Sequence, residues 1–173
     1  MEHGVDANKD NKCDNCGGNV GGSTSSEPTT LATFALGANG SASHTDGSSK
    51  TSYSETNNGY TLSITSGTNM YTGARDAKGN SCIKFGASSK AGSCKFTVPN
   101  NVTSVVINIA KYKANTSKIT INGKTYTLTK NSDNGEYDEI VIDTTTTKTV
   151  TLTTISGGYR AMVNTIEFIG TAQ

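Results

Sequence analysis

The sequence predicts an all-β protein, an antiparallel β-sandwich without significant helix. Apolar and polar residues alternate over many short segments, as in strands that bury one face. Turn-forming residues separate these segments roughly every eight to twelve residues, the spacing typical of sandwiches and barrels. Asn122-Gly123 stands between two such segments and is the strongest two-residue hairpin signal in the chain. No segment shows a helical period.

Ten segments are predicted as strands. The most apolar of them follows the turn Pro99-Asn100-Asn101, and its residues Val105, Ile107 and Ile109 point to one buried face. In chain order the predicted strands are Leu31 to Leu36, Tyr60 to Ile64, Cys82 to Phe85, Cys94 to Val98, Val102 to Ala110, Lys118 to Ile121, Thr125 to Leu128, Ile140 to Ile142, Thr149 to Ile155 and Met162 to Ile169.

The composition indicates an extracellular β-module. Of the 173 residues, 32% are hydrophobic and 17% charged, and Thr, Ser, Asn and Gly make up much of the rest. The net charge is +1 and no run of Lys or Arg occurs, which disfavours nucleic acid as a partner. No apolar stretch approaches the length of a membrane span. We therefore expect a secreted or cell-surface protein that does not insert into a membrane.

Three regions follow from the distribution of residues. Residues 1–17 form an Asp/Asn/Cys-rich appendage, residues 18–29 a Gly/Ser/Thr linker, and residues 30–173 the β-sandwich. Met1-Glu2-His3 is typical of the start of an expressed fragment.

The Asp-rich appendage predicts a structural calcium site. Calcium takes six to eight oxygen ligands, and a tight loop can offer them from every second residue. The first three alternate positions match the opening of an EF-hand loop, and the last resembles a carboxylate of thrombospondin-type-3 calcium loops. The sequence departs from the EF-hand at Asn11, where Gly is usual, and it lacks a bidentate Glu at the loop end. The candidate ligands are Asp6, Asn8, Asp10, Lys12 through its carbonyl, and Asp14.

Two other interpretations of the appendage stay open. Cys13 and Cys16 form a C-x-x-C pair that, with His3 and a fourth ligand, suits zinc. The two cysteines can also form a local disulfide or stay reduced, and the segment is then a solvated tail.

The sequence offers no catalytic constellation, so we expect no enzyme. One of the two histidines, His3, lies in the appendage, and the other, His44, lies in a polar loop. Ser43-His44-Thr45-Asp46 resembles a triad, but neighbours along one loop rarely converge on one point, and a solvated turn is the simpler interpretation. A glycosidase needs two carboxyl groups across a cleft, and most acids here fall in the appendage or in turns.

A candidate ligand surface lies at strand ends and loops that combine Tyr with Arg. Sugars pack against aromatic faces and bond through their hydroxyls to Asn, Asp, Arg and Lys. Trp, the usual platform, is absent. Tyr60 and Tyr126 are in register with core positions and are predicted to pack. The candidates are Tyr71, Arg75, Asp76, Tyr112, Tyr159 and Arg160. The alternative is that these residues only cap the edges of the sandwich.

Three stretches carry a resemblance to a known class. They are NSCIKFGASSKAGSCKFTVPNN, VTSVVINIAKYKANTSKITING and KTVTLTTISGGYRAMVNTIEFIG. Together they resemble β-sandwich modules repeated in large secreted proteins of gut bacteria, over about Leu31 to Gly170. The resemblance implies a jelly-roll, galactose-binding-like fold and favours glycan binding, including a starch-type α-glucan.

The expected function is therefore a non-catalytic carbohydrate-binding module that is monomeric when isolated. The alternative is an adhesion or scaffold module that binds protein or spaces other domains. An accessory domain without a ligand of its own is a third hypothesis.

Alternation also predicts that Cys82 and Cys94 are not bonded to each other. Ile83 and Phe85 should face the core, which turns Cys82 outward, whereas Cys94 should face inward with Phe96. Side chains on opposite faces cannot meet the geometry of a disulfide. We expect Cys82 to be an exposed or edge thiol and Cys94 a buried one.

The calcium site gives the first testable prediction. Calorimetry should show calcium uptake at millimolar concentration or below, and a chelator should loosen residues 1–17 while the sandwich stays folded, because a Gly-rich linker separates the two. Absence of calcium uptake would contradict the prediction, and zinc uptake that is lost with Cys13→Ser and Cys16→Ser would favour the rival.

Overall fold

The computed structural model describes residues 27–37, 48–113, 115, 117–156 and 158–172. The predicted calcium ligands, His3, the Cys13–Cys16 pair and the loop around His44 lie outside these residues. The described chain forms eleven β-strands and a short 3-10 turn, Ser132–Asn134. The strands are β1 Thr29–Ala35, β2 Ser48–Asn57, β3 Tyr60–Arg75, β4 Ser81–Phe85, β5 Ser93–Thr97, β6 Val102–Lys111, β7 Lys118–Ile121, β8 Lys124–Thr127, β9 Asp138–Asp143, β10 Thr149–Ser156 and β11 Ala161–Gly170.

Every strand pair is antiparallel, and the order along the curled sheet is β8-β7-β10-β5-β3-β4-β11-β6-β9. We call β8, β7, β10 and β5 the β10 half, and β4, β11, β6 and β9 the β11 half. Strand β3 lies between the halves, β2 pairs with β3, and β1 pairs with β11. The predicted all-β class with an antiparallel, sandwich-like sheet is confirmed.

Strand β3 pairs with β5 through Thr65 to Thr68 and with β4 through Met70 to Arg75. Register shifts interrupt both pairings. Between the two stretches Asn69 has a φ of 46°, and Gly73 follows with a φ of 80°. Irregular positions of this kind bend a strand and increase its twist, so one strand can serve both halves.

The core lies between the two halves. Each half contributes alternate side chains to one cluster that holds, for example, Leu152 and Phe96 from the β10 half and Ile107 and Phe168 from the β11 half. Phe34 of β1 meets Phe168 edge-to-face with ring centroids 4.9 Å apart. Such a pair contributes about 0.5–1.5 kcal/mol beyond the area that it buries. Tyr60 and Tyr126 pack against this cluster, as predicted.

A second, smaller cluster covers the outer face of the β11 half. It consists of Ala74, Cys82, Tyr112 and Met162, with Tyr137 packed against it. Cys82 does face away from Ile83, as alternation requires, but it has no exposed surface. The prediction of an exposed Cys82 thiol is therefore wrong, because aromatic side chains outside the sheet cover this face. Cys82 and Cys94 are both unbonded, as predicted.

The predicted strands match the structure except at two places. Strand β2 was not predicted, because its sequence SSKTSYSETN has no alternating apolar residues. Strand β3 continues eleven residues past Ile64, through Gly67 and Gly73, which interrupt the period of two. The predicted hairpin is confirmed: Ile121 pairs with Lys124 across Asn122 and Gly123, both with positive φ. None of the described residues belongs to a helix long and apolar enough to cross a membrane.

The burial of Cys82 and Cys94 predicts that both thiols are unreactive in the folded protein. Burial raises the pKa of Cys82 to about 11 and that of Cys94 to about 12, so neither supplies a thiolate near pH 8. In a variant with Cys13→Ser and Cys16→Ser, a thiol reagent should label neither cysteine in the native protein and both in denaturant. Mass spectrometry of the labelled protein gives the count, and rapid labelling of one thiol in the native state would contradict the packing.

Candidate functional site

The outer face of the β11 half presents a row of three side chains across adjacent strands. Lys84 of β4 lies directly opposite Tyr71 of β3 on one side and Met162 of β11 on the other. Residues paired in this way share a face of the sheet, so their side chains contact one another. Lys84 is only 7% exposed. A lysine is thus held in a central strand with its alkyl stem packed between neighbours.

Aromatic rings hold the charged end of Lys84. Its Nζ lies 4.7 Å from the ring centroid of Tyr71 and 5.6 Å from that of Tyr112. Two further cations lie at the Tyr112 ring, with Lys113 Nζ at 5.5 Å and Arg160 Cζ at 4.8 Å from its centroid. All four distances are within the range of cation–π attraction. We call Tyr71, Lys84, Tyr112, Lys113 and Arg160 the tyrosine–cation cluster.

The turn between β10 and β11 carries Arg160 into this cluster. Its carbonyl accepts a hydrogen bond of 2.6 Å from Ser117 Oγ and one of 3.4 Å from the Tyr112 N–H. Tyr159 precedes it in the left-handed region, with a φ of 55°. These two hydrogen bonds therefore fix the backbone of Arg160 to the β6–β7 connection. The guanidinium group extends from this fixed backbone.

The connection between β4 and β5 packs against the turn that carries Arg160. Gly86 has a φ of 83°, and a Cβ there would lie 1.6 Å from the Tyr159 carbonyl oxygen. Only glycine allows this approach, because any side chain would displace the turn that carries Arg160. Thr154 Oγ1 accepts a 2.8 Å hydrogen bond from the Gly92 N–H, and Asn69 Nδ2 donates one of 2.7 Å to the Ala91 carbonyl. These bonds tie the connection to β10 and β3.

A cavity of 260 Å³ opens between these parts. None of the described residues that line it carries a carboxyl, imidazole or thiol group. It is lined by Tyr71, Lys84, Gly86, Ala87, Ser88 and Arg160. The lining therefore offers an aromatic ring, two cations and a serine hydroxyl, which are groups that can bind a polar ligand.

A larger groove of 460 Å³ lies elsewhere, on the β3, β5 and β10 strands. Its lining combines Thr, Ser and Gly with Lys95 and Cys94, and it has no aromatic ring among the described residues. Size alone would favour this groove. The tyrosine–cation cluster has the more specific chemistry, because aromatic anchors and cations converge there.

Asp76 lies in the turn after β3 and is 1% exposed. Its carboxylate accepts hydrogen bonds from four uncharged donors: the backbone N–H groups of Lys78 and Asn80, the Asn80 side chain, and the Tyr137 hydroxyl at 2.6 Å. Burial alone would raise the pKa of this carboxyl, but the hydrogen bonds from Tyr137 and Asn80 outweigh burial and lower it. The same Tyr137 hydroxyl lies 3.2 Å from Cys82 Sγ. Burial and the bond to Asp76 raise the pKa of Tyr137.

The structure separates the six predicted ligand residues into two groups. Tyr71, Tyr112 and Arg160 come together in the tyrosine–cation cluster, and the Tyr159 carbonyl packs on Gly86 beside it. Arg75 and Asp76 instead hold the β3–β4 turn, where Arg75 Nη1 donates a 2.8 Å hydrogen bond to the Gly79 carbonyl. Tyr112 was expected at an exposed edge but is buried, and Asp76 is buried as well.

Lys84 and Lys113 were missed. Lys84 stands between Ile83 and Phe85, so alternation places it on the face opposite the core, where a solvated lysine is the ordinary expectation. Only the cross-strand pairing with Tyr71 shows that this face is covered. Among the described residues no group of three or more His, Cys, Asp or Glu side chains could hold a metal ion.

Comparison with known proteins finds only distant structural similarity. No protein-family profile matches the chain, and no curated protein matches it. A solved structure of the carbohydrate-binding module CBM36 in complex with calcium and xylotriose is 18% identical, with a TM-score of 0.28, over 50% of this chain and 78% of that one. TmCBM61 in complex with β-1,4-galactotriose is 14% identical, with a TM-score of 0.27, over 53% of this chain and 68% of that one.

An exo-β-1,3-galactanase from Phanerochaete chrysosporium is 16% identical, with a TM-score of 0.38, over 70% of this chain and 29% of the enzyme. The chain spans less than a third of such enzymes. At these TM-scores, the inference about function rests on the geometry of the site itself.

The buried Asp76 network predicts a pH-dependent stability. Because the folded pKa of Asp76 is lowered, its contribution is complete above the unfolded pKa of about 3.9 and is lost as the pH falls through the folded value. Tyr137→Phe removes a hydrogen bond to a charged group and should lower the free energy of unfolding at pH 7 by about 1.5–3 kcal/mol. It should also move the acid-induced loss of stability to higher pH. Denaturant titration across the acid range measures both effects.

Tyr60→Phe is the matched control. The Tyr60 hydroxyl accepts a 2.8 Å hydrogen bond from an uncharged group, Asn101 Nδ2, so its loss should cost only about 0.5–1.5 kcal/mol and leave the acid profile unchanged. Equal costs and equal acid profiles for the two variants would show that Asp76 is not held by Tyr137.

Proposed function

We propose that the chain is a non-catalytic carbohydrate-binding module of a secreted or cell-surface bacterial protein, and that its sugar binds at the tyrosine–cation cluster. The observation that supports this most is the cavity between Tyr71, Lys84 and Arg160, in which an aromatic ring and two hydrogen-bond donors surround one small space. Its 260 Å³ lies just below the range of about 300–1,000 Å³ for pockets that bind drug-sized ligands. A chain end or a side branch of one or two sugar rings suits that size.

The lining matches what a sugar needs. A pyranose has apolar C–H patches that pack on an aromatic face, here the half-buried Tyr71 ring. Its hydroxyls accept hydrogen bonds from the Lys84 ammonium and from the planar fork of Arg160. Ser88 adds a hydroxyl that can donate or accept.

The site is preorganised, which favours binding. Lys84 is held between two tyrosine rings, and Arg160 has its backbone fastened to Ser117. Side chains that are ordered before the ligand arrives lose less entropy on binding. In this proposal Tyr112 supports the cations, Tyr159 sets the turn that carries Arg160, and Arg75 and Asp76 hold the neighbouring turn.

Two finer parts of the proposal concern the ligand and the appendage. The sequence resemblance favours a starch-type α-glucan as the ligand, so the binding experiment includes soluble starch. Residues Asp6 to Asp14 are proposed to hold a structural calcium ion, remote in sequence from the sugar site and separated from it by the linker.

A glycan array together with affinity gels that contain soluble starch and other polysaccharides tests the proposal. The parent protein should bind at least one glycan. Tyr71→Ala should weaken that binding at least about tenfold, because it removes the aromatic anchor of the cavity. Tyr126→Ala is the matched control, since Tyr126 is also a partly buried tyrosine with a lysine over its ring, Lys124 Nζ at 5.2 Å, but it lies on β8. It should bind like the parent.

The outcomes separate the competing functions. Failure to bind any glycan would reject the module and leave the adhesion or scaffold hypothesis. Glycan binding that Tyr71→Ala and Tyr126→Ala affect equally would keep the module but move its site away from the tyrosine–cation cluster. Slower migration of the parent protein in the starch gel would support a starch-type α-glucan as the ligand, and unchanged migration would exclude it.

A further inference from the structure

We propose that the glycan bound at the tyrosine–cation cluster is acidic, that is, a sugar that carries a carboxylate or a sulfate group. The inference rests on the proposed function and names the chemical class of its ligand. It is carried by the convergence of three cations on one ring.

Positive charge is concentrated around Tyr112. Lys84, Lys113 and Arg160 each place a cationic group between 4.8 and 5.6 Å from the centroid of this single ring. The whole chain has a net charge of only +1, so the concentration is local and does not reflect a generally basic protein. Two of the three cations, Lys84 and Arg160, also line the cavity. A ligand in the cavity therefore meets positive charge from more than one side.

Burial strengthens the interaction of these cations with an anion. Lys84 is 93% removed from solvent, so water screens its charge less than it screens the charge of an exposed lysine. The tyrosine rings stabilise the cations through cation–π contacts. An anionic ligand in the cavity would add direct charge pairing, which a neutral sugar cannot provide.

The geometry suits an anion in particular. The Arg160 guanidinium presents a planar fork that matches a carboxylate or sulfate through two parallel hydrogen bonds, and the Lys84 ammonium acts as a second point charge. None of the described residues lining the cavity is acidic, so the lining itself would not repel an anion. The buried acid on the same face, Asp76, already accepts four hydrogen bonds from uncharged groups. A neutral α-glucan would use the aromatic ring but not this charge.

The test pairs each acidic polysaccharide with a neutral form of the same backbone. Uronate-containing polysaccharides are arrayed beside their carboxyl-reduced forms, and sulfated polysaccharides beside their desulfated forms, so the two sources of anionic charge are distinguished. The parent protein should bind one acidic form at least about tenfold more tightly than its neutral partner. Raising the salt from about 0.1 M to about 1 M, where the Debye length falls from about 10 Å to about 3 Å, should reduce that preference.

Variants then test whether the preference for the acidic ligand arises at the tyrosine–cation cluster. With the best acidic ligand and its neutral partner, calorimetry should show that Arg160→Gln and Lys84→Met each bring the ratio of the two affinities toward one. Lys124→Gln removes one positive charge from the cation–π pair on β8 and is the matched control, which should keep the ratio of the parent. Circular dichroism confirms that each variant is folded. If Lys84→Met unfolds, Arg160→Gln on the exterior turn decides the question.

The failure of this inference differs from the failure of the proposed function. Binding of neutral and acidic forms with equal affinity would overturn the acidic ligand while leaving a carbohydrate-binding module in place. An acidic preference that Arg160→Gln and Lys124→Gln reduce equally would overturn the assignment to the cluster. No binding to any glycan would reject the module and the acidic ligand together.

Discussion

Strand β3 has to pair with both halves of the sheet, and the positions of the core and the candidate site follow from how it does so. Its middle part, Thr65 to Thr68, lies beside β5 and its last part lies beside β4, with Asn69 in the left-handed region between them. The Asn69 carbonyl accepts a 2.8 Å hydrogen bond from the Gly86 N–H, and its side chain bonds to the Ala91 carbonyl. The irregular residue that turns the strand therefore also anchors the β4–β5 connection. Immediately after it, Met70 enters the core and Tyr71 points to the opposite face, where it meets Lys84.

The second constraint is that the β11 half is covered on both faces near one end. Ile83 and Phe85 of β4 face the main core, while Cys82 and Lys84 face Tyr137, Tyr71 and Tyr112 on the outside. The sequence of a strand that is buried on both faces is normally a continuous run of apolar residues. Strand β4 is an exception, because its outer face is covered by tyrosines, whose rings attract a cation and whose hydroxyls bond polar groups. A thiol and an ammonium group are thereby accommodated in one central strand.

These two constraints explain how much the sequence could predict. Alternation with a period of two identified ten of the eleven described strands, at least in part, and the Asn122-Gly123 hairpin, because those signals depend only on neighbouring residues. Strand β2 consists mostly of polar residues and pairs with β3, and only its Tyr53 packs against the core, so it leaves no alternating apolar pattern. Tyr71, Tyr112 and Arg160 could be selected by residue type, since aromatic rings and guanidinium groups favour ligand sites. Lys84 could not, because its burial depends on the pairing of β3 with β4 and on the Tyr112 ring after β6, which are far apart in sequence.

The outer face of the β11 half stabilises its buried carboxylate, Asp76, through uncharged donors. The Asp76 carboxylate is satisfied by the Tyr137 hydroxyl, the Asn80 amide and two backbone N–H groups, all of them uncharged. Lys84 and Arg160 lie at the Tyr112 ring on the same face and also line the cavity. In the acidic-ligand proposal, Lys84 on a central strand and Arg160 on the turn, opposite an aromatic ring, would give this face an electrostatic preference that the nearly neutral composition of the chain does not reveal.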